Sequence, residues 1–141
     1  MKIAYLNTYG QSGLSNQKLL ELENFIELNR LDIVCLQETD IQENTFCGCN
    51  ILNRFIPIVN NNKSGYGTCT LVRKTFSYDN VIKDSEGRLV SIDIGGMSIV
   101  NVYLQSGTDQ DSRTEREEYI NNLPNLLLYK KNRRCQSALR N

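Results

Sequence analysis

The chain has 141 residues, a length typical of a single domain that can bury a substantial apolar core. Lys and Arg together number 16, and so do Asp and Glu, so the formal net charge is zero and no overall field attracts nucleic acid or an anionic membrane. The sequence contains no histidine. A reaction that needs an imidazole as acid, base or metal ligand therefore cannot be completed by these residues alone.

Five cysteines are present, at positions 35, 47, 49, 69 and 135, and none of them forms a Cys-x-x-Cys pair. Without histidine, the segment Cys47-Gly48-Cys49 is a poor zinc site, so reduced thiols in an intracellular protein, nuclear or cytoplasmic, are expected. Cys35 and Cys69 lie within apolar runs and are predicted to fill the core. There is no signal or transit pattern and no apolar run long enough to cross a bilayer, which predicts a soluble protein with no membrane partner.

The first part of the chain has the pattern of a strand–helix–strand unit. Residues 3–6 form a short apolar run typical of a strand that is covered on both faces. Ser15 is the predicted N-cap of a helix over residues 16–28, which ends near Asn29 in a left-handed conformation. Residues 33–36 form a second buried strand.

The connection between these two strands predicts where their ends lie. A strand–helix–strand crossover is right-handed and makes its strands parallel and usually adjacent. Asn7 follows the first strand and Glu38 follows the second. We therefore expect both side chains at the same edge of one sheet.

From about residue 50 the apolar runs become shorter and turn signals separate them. Val90, Ile92 and Ile94 alternate with polar residues, which predicts one buried strand face, and Gly95-Gly96 is a strong two-residue hairpin signal. Together the segments predict an antiparallel meander that extends the helix-covered sheet. The segments are an edge or irregular strand at 51–59 with Pro57, a polar turn at 60–65, and strands at 67–72, 88–94 and 97–104.

The last part of the chain is predicted to be helical. Ser112-Arg113-Thr114-Glu115 matches a capping box, which predicts a helix from Ser112 to about Asn122. Pro124 is expected to interrupt or restart this helix, before an apolar run at 126–128 and an abruptly basic segment at 130–134. Because no strand follows the helix, the α/β fold is expected to be incomplete.

A few polar residues at strand ends are candidates for chemistry. Glu38 is the sharpest, because a carboxylate at a sheet edge can bind a hard cation such as Mg²⁺ together with substrate phosphate. Asn7 could orient a water or the neighbouring carboxylate, and Tyr103 could hold a phosphate or an attacking water. Arg88 could pair with an acid or a phosphate. Each residue alone also has an ordinary interpretation, as a loop cap, a turn former, a packing residue or a solvated charge.

Taken together, these residues lie in segments that resemble a known family. The segments are residues 2–7, 32–39, 67–74 and 101–107, and Leu-Gln-Glu-Thr at 36–39 is the most specific of their motifs. In this order they resemble the N-terminal part of the endonuclease/exonuclease/phosphatase superfamily, over residues 1 to about 129. Residues 101–128 are most similar to the endonuclease domains of LINE-type non-LTR retrotransposons.

The resemblance implies the N-terminal part of a four-layer α/β sandwich of the DNase-I-like type, truncated at residue 129 and followed by an unmatched basic tail at 130–141. It implies a Mg²⁺-dependent phosphodiesterase that nicks DNA at a retrotransposon target site. By position, Glu38 matches the metal-binding glutamate, and Tyr103 matches the tyrosine at the scissile phosphate. Asn7 matches the active-site asparagine near the metal, so it is expected both in the metal site and among the catalytic residues. The family's later Asp-x-Asn and Asp-His motifs are absent, so this chain is expected to be inactive by itself. Because the strands that would follow residue 129 are also absent, an apolar sheet face and a strand edge are expected to be uncovered, which predicts self-association.

Two alternatives stay open at this point. The chain could be a non-catalytic folded remnant or an interaction module. It could also belong to another branch of the superfamily, such as the phosphoinositide phosphatases or the sphingomyelinases. Sequence downstream in the same locus would distinguish these alternatives from a retrotransposon endonuclease, which is expected to be followed by a reverse transcriptase.

Overall fold

The protein is described by a computed structural model that covers residues 1–9, 14–62 and 67–138, with side chains described up to residue 128. The chain divides into two compact units, Met1–Tyr103 and Leu104–Asn141. In chain order, the described elements are β1 (Ile3–Asn7), α1 (Asn16–Asn29), β2 (Ile33–Gln37), α2 (Ile51–Arg54), β3 (Phe55–Asn61), β4 (Gly67–Arg73), β5 (Asp79–Lys83), β6 (Leu89–Ile94), β7 (Met97–Val102) and α3 (Gln110–Ala138).

The first sheet contains the predicted strand–helix–strand unit. Its strand order is β1-β2-β4-β3, and β1 and β2 run parallel, which confirms the predicted crossover. Ser15 caps α1 as predicted, with its hydroxyl accepting a hydrogen bond from the backbone nitrogen of Lys18 at 3.3 Å. The left-handed residue at the helix end is Arg30 (φ 51°), and the prediction of Asn29 was wrong by one position. Asn29 completes the last turn instead, and its side chain donates to the carbonyl of Phe25.

The second sheet is an antiparallel meander in the order β5-β6-β7. Gly95 and Gly96 connect β6 to β7 with φ values of 56° and 83°. Two successive positive φ values are typical of the tight hairpin turn that matches strand twist, and glycine adopts them without a steric penalty. The predicted hairpin is therefore confirmed. Of the strands predicted to extend the helix-covered sheet, β3 and β4 do so, whereas β6 and β7 lie in this separate sheet.

Two apolar clusters hold three layers together within the first unit. One cluster lies between α1 and the first sheet and includes Leu19, Ile26 and Leu71. The other lies between the two sheets, where Ile33 and Val72 meet the predicted row of Val90, Ile92 and Ile94. Cys35 and Cys69 are fully buried, one in each cluster, which confirms their prediction as core residues.

Several boundaries differ from the sequence prediction. Residues 51–54 form the short helix α2, and the strand predicted at 51–59 begins only at Phe55; it is an edge strand, as Pro57 suggested. The predicted turn at 60–65 overlaps the end of β3, and its residues 63–65 lie outside the described residues. β5 was not predicted, because its apolar residues Val81 and Ile82 are adjacent and show neither the helical nor the strand periodicity.

The second unit contains α3, which begins earlier than predicted. The backbone nitrogen of Ser112 donates to the side chain of Asp109 at 2.7 Å, so Asp109 caps the helix and the predicted start at Ser112 was wrong. The helix continues through Pro124, so the prediction that this proline interrupts or restarts it was wrong. Among the described residues, no helix is both long and apolar enough to cross a membrane.

Candidate active site

The carboxyl ends of β1 and β2 bring Asn7 and Glu38 together. Asn7 pairs in register with Gln37, the residue before Glu38, and its side-chain Nδ2 donates to Glu38 Oε1 at 3.1 Å. Asn7 Oδ1 accepts from the backbone nitrogen of Tyr9 at 2.9 Å, which orients the amide so that its donor faces the carboxylate. The predicted juxtaposition at one edge of the sheet is confirmed.

Glu38 is held in an unusual backbone conformation. Its φ is 51°, in the left-handed region that residues other than glycine seldom adopt. Thr8 holds the end of β2 in place through two hydrogen bonds. Its hydroxyl donates to the carbonyl oxygen of Glu38 at 2.9 Å, and its backbone nitrogen donates to the carbonyl oxygen of Gln37 at 2.9 Å. A strained residue that neighbouring groups hold in place is characteristic of functional sites.

Tyr103 follows β7 and therefore belongs to the second sheet. Its backbone nitrogen donates to the carbonyl oxygen of Arg88 at 2.8 Å, which continues the β6–β7 pairing by one step. The side chain is half-buried. Tyr103 is thus on a different sheet from Asn7 and Glu38, and one of the hydrogen-bonded links between the two sheets is made by Asn101.

Asn101 connects the two sheets directly beside the candidate site. Its Oδ1 accepts from Gln37 Nε2 at 3.2 Å, and Gln37 immediately precedes Glu38. Tyr103 lies two residues after Asn101. The hydrogen bond therefore ties the chain segment before Tyr103 to the segment before Glu38.

The side chains at this edge supply only part of the oxygen ligands that a hard cation needs. Glu38 offers a half-buried carboxylate with one oxygen bound by Asn7, and carboxylate oxygen is what Mg²⁺ prefers. Asn7 points its Nδ2 at the carboxylate and its Oδ1 accepts from Tyr9, so in this arrangement Asn7 orients the carboxylate of Glu38 and is not placed as a second ligand. No group of three or more His, Cys, Asp or Glu side chains that could hold a metal occurs in the described part of the chain.

Sequence reasoning missed the residues that support this edge, namely Thr8, Gln37 and the side chain of Asn101. A signal was present for Asn101, since it takes a core-facing position in an alternating strand, opposite Val90. Arg88, a candidate for binding an acid or phosphate, has its Nε 3.1 Å from Glu86 Oε2. Thr39, directly after Glu38, is fully buried, and its Oγ1 has no hydrogen-bond partner among the residues that the structure describes.

A helix-covered mixed sheet packed on an antiparallel sheet, with a carboxylate and an amide at the strand ends, is the architecture of a DNase-I-like α/β protein. The model of the endonuclease/exonuclease/phosphatase family matches residues 4–130. The chain belongs to that family. No curated protein matches the chain.

Solved structures agree on the fold. A 3′-5′ exonuclease from Neisseria meningitidis is 21% identical with a TM-score of 0.72, and the match covers 94% of this chain and 54% of that one. An AP endonuclease from Archaeoglobus fulgidus is 18% identical with a TM-score of 0.66, covering 89% and 49%. TDP2 of D. rerio, complexed with single-strand DNA product, is 18% identical with a TM-score of 0.58, covering 84% and 52%. The chain spans about half the length of these structures.

Proposed function

We propose that this chain carries part of the active site of a Mg²⁺-dependent phosphodiesterase that nicks DNA. The observation that supports the proposal most is the hydrogen bond of 3.1 Å between Asn7 and Glu38 at the ends of adjacent parallel strands. The left-handed conformation of Glu38 adds to it, because strain of this kind persists where the surrounding structure enforces a particular side-chain position. Two solved structures with the same fold are described with DNA product bound, which favours DNA as the substrate class.

Each residue has a role within this proposal. Glu38 holds the cation through its carboxylate, and Asn7 keeps that carboxylate in place with its side-chain amide. Tyr103 contacts the phosphate with its phenol. When bound, Mg²⁺ supplies positive charge that stabilises the negative charge developing on the phosphate oxygens.

We further propose that this chain alone does not cleave DNA. Mg²⁺ is usually held by one or two carboxylates plus substrate oxygens, and the described residues contain no group of three or more potential metal ligands that includes Glu38. The sequence contains no histidine to act as the general base, a contribution of typically about 10²–10⁴ in rate. The partial domain over 1–129 is accordingly proposed to act only together with further ligands.

Within the family, we place the chain nearest the endonucleases of LINE-type retrotransposons. The support is the motif series from Asn101 to Leu128, and in particular Asn-Val-Tyr followed by Ser-Gly and Arg-Thr-Glu-Arg. Sequencing the locus downstream tests this placement. A reading frame that encodes Asp-x-Asn, Asp-His and a reverse transcriptase is expected, whereas an unrelated frame contradicts it.

Manganese binding tests the proposed metal ligand in this chain. Mn²⁺ broadens the NMR signals of nearby nuclei, so titration of the ¹⁵N-labelled protein should selectively broaden the backbone signals around Asn7 and Glu38. Glu38→Gln removes the charged ligand and should abolish this broadening. Glu43→Gln, which removes an exposed carboxylate from the following loop, is the matched control and should leave it unchanged. Broadening that persists in Glu38→Gln contradicts the assignment.

A plasmid assay tests the proposed lack of activity. Incubation of supercoiled plasmid with Mg²⁺ and the 141-residue protein should leave the plasmid supercoiled. A longer protein that includes the downstream Asp-x-Asn and Asp-His segments should relax it, and Glu38→Gln in that protein should abolish the reaction without unfolding. Relaxation by the short chain that is sensitive to Glu38→Gln would overturn the proposed inactivity.

A further inference from the structure

Asn101 is a polar residue in the apolar layer between the two sheets. Its relative exposure is 0%, and it pairs in register with Val90, which is part of the apolar cluster between the sheets. Ile99, two residues earlier on the same strand, points into the same cluster. Burying an amide in such surroundings is unfavourable unless its hydrogen bonds are made. The hydrogen-bond partners of Asn101 therefore indicate the structural role of its side chain.

Those partners all lie on the central pair of strands in the first sheet. Asn101 Nδ2 donates to the carbonyl oxygens of Leu36 at 3.1 Å and Cys69 at 3.2 Å, and it lies 3.3 Å from Thr70 Oγ1. Its Oδ1 accepts from Gln37 Nε2 at 3.2 Å. One side chain of β7 therefore binds both β2 and β4 at the point where β2 ends.

We infer that Asn101 is a positioning residue that sets the two halves of the candidate site against each other. On one side it binds Leu36 and Gln37, the last residues before Glu38. On the other side it lies two residues before Tyr103, a distance of about 7 Å along an extended chain. One fully buried amide thus restrains the register between the carboxylate and the phenol directly at the end of β2. Two further hydrogen bonds join the sheets nearby, from Thr68 Oγ1 to the carbonyl oxygen of Gly87 at 3.3 Å and from Asn60 Nδ2 to that of Leu89 at 2.9 Å, but neither of them binds β2. The importance of that register rests on the proposed function, whereas the positioning itself can be measured without a metal or a substrate.

Packing alone does not require an amide at this position. The sheets are already joined by apolar contacts of side chains such as Ile33, Val72 and Ile92, which form no hydrogen bonds. Apolar contacts are non-directional, so they hold the layers together but permit small shifts of one sheet over the other. Hydrogen bonds to the carbonyl oxygens of two strands are directional and restrict such shifts.

The variant that tests this is Asn101→Leu, which keeps a similar volume and removes every hydrogen bond. The readouts are the ¹⁵N order parameters of the Glu38 backbone and the Asn7 side-chain amide, the Mn²⁺ affinity, and the melting temperature. We expect the order parameter of Glu38 to fall from about 0.85 to below about 0.6. Mn²⁺ affinity should fall by about tenfold or more, as for other residues that orient a metal ligand.

Val90→Ala is the matched control, because it truncates the buried residue opposite Asn101 without touching the hydrogen bonds. It should lower the melting temperature but leave the order parameters of Asn7 and Glu38 and the Mn²⁺ affinity unchanged. Equal changes at Glu38 in both variants, or none in Asn101→Leu, would overturn the inference, because Asn101 would then act only on stability.

Gln37→Leu is a second variant that tests the positioning role of Asn101 if Asn101→Leu does not fold. It removes one hydrogen bond of the set from a half-buried position and should also raise the mobility of Glu38, more than Val90→Ala does. Unchanged order parameters in folded Gln37→Leu contradict the inference. If the unmodified protein binds no Mn²⁺, the proposed metal site fails, but the order parameters still decide whether Asn101 positions Glu38.

Discussion

Glu38 and Thr39 are neighbouring residues that each depart from ordinary folding preferences, Glu38 in its backbone conformation and Thr39 in its buried hydroxyl. Glu38 occupies the left-handed region at φ 51°, although its side chain makes a hydrogen bond that a glycine could not supply. Thr39 follows it with a fully buried hydroxyl that has no hydrogen-bond partner in the described part of the chain. Both features cost stability. One lies in the candidate ligand and the other in the next residue, which indicates that the local geometry is set by something other than stability.

The unpartnered hydroxyl of Thr39 leads to a prediction about stability. Thr39→Val keeps the shape and removes a buried oxygen without a hydrogen bond, so it should stabilise the protein by about 1 kcal/mol or more and raise the melting temperature by about 2–4 °C. Thr70→Val is the control of identical chemistry, since the Thr70 hydroxyl lies within 3.3 Å of Asn101 Nδ2 and its removal should destabilise. Thermal unfolding followed by circular dichroism measures both; two shifts of the same sign contradict the prediction.

The buried thiols predict how stability depends on alkaline pH. Burial raises the pKa of Cys35 and of Cys69 from 9.0 to about 12. Because the pKa is higher in the folded state, the contribution of each thiol is complete below pH 9 and is lost as pH rises from about 9 to 12. Urea unfolding across this range should show a falling free energy of unfolding. The double variant Cys35→Ala/Cys69→Ala should show a shallower fall, and an identical slope in both proteins contradicts the assignment.

At the scale of elements, the first β–α–β unit was predictable because local signals and geometry agree. Ser15 caps α1, Leu19 and Ile26 follow helical spacing, and the right-handed crossover then places Asn7 and Glu38 at one edge. Such agreement needs no knowledge of distant contacts. This is why the pairing of the candidate ligand with its supporting amide could be anticipated from the sequence.

The elements that were predicted wrongly depend on contacts that cannot be read from the sequence. β5 pairs with β6 through an irregular register between Asp79 and Ile82, and its pattern shows neither helical nor strand period. The start of α3 was misplaced because Ser112 and Asp109 are both good caps, and the choice depends on which side chain reaches a backbone nitrogen. The division into two sheets was likewise missed, since hairpin signals do not reveal which sheet a strand joins: β3 and β4 extend the first sheet as expected, but β6 and β7 form a second sheet with β5.

The cap of α3 gives a prediction with a definite pH dependence. Hydrogen bonds from the backbone and then the side chain of Ser112 hold the pKa of Asp109 below its ordinary value of 3.8. A lowered pKa means that the cap stabilises the helix above pH 3.8 and is lost as pH falls through the value in the folded state. Amide exchange at the first turn, corrected for its intrinsic pH dependence, should therefore accelerate on acidification.

Two variants separate the charge of this cap from its geometry. Asp109→Asn keeps a side-chain oxygen that can accept the hydrogen bond but cannot be protonated, so it should remove the acid-dependent acceleration. Asp109→Ala should give fast exchange at the first turn at every pH. An acid response that survives in Asp109→Asn would show that another group controls the start of the helix.

At the scale of the molecule, the two sheets of the first unit differ in size, with β1-β2-β4-β3 in one and β5-β6-β7 in the other. β7 packs against β2 and β4, and β6 packs against β3 and β4. β1 is an edge strand whose Ile3 and Tyr5 pair in register with Ile33 and Cys35 and so share their face. Ile33 and Cys35 are buried there, yet Ile3 is 38% exposed and Tyr5 53%. The described residues thus leave an apolar row beside an unpaired strand edge.

This exposed edge leads us to predict self-association that depends on concentration. An edge strand presents unpaired backbone groups, and an apolar row beside it adds a surface that a second chain can cover. Light scattering coupled to size exclusion should show species larger than the monomer as concentration rises, together with binding of a dye that reports exposed apolar surface. Ile3→Lys places a charge on the edge and should shift association to higher concentration. Leu28→Lys, at a residue of α1 that is 84% exposed, removes a comparable apolar side chain away from the edge and should not. A monomer at all concentrations, with no dye binding, would show that β1 is not an association surface.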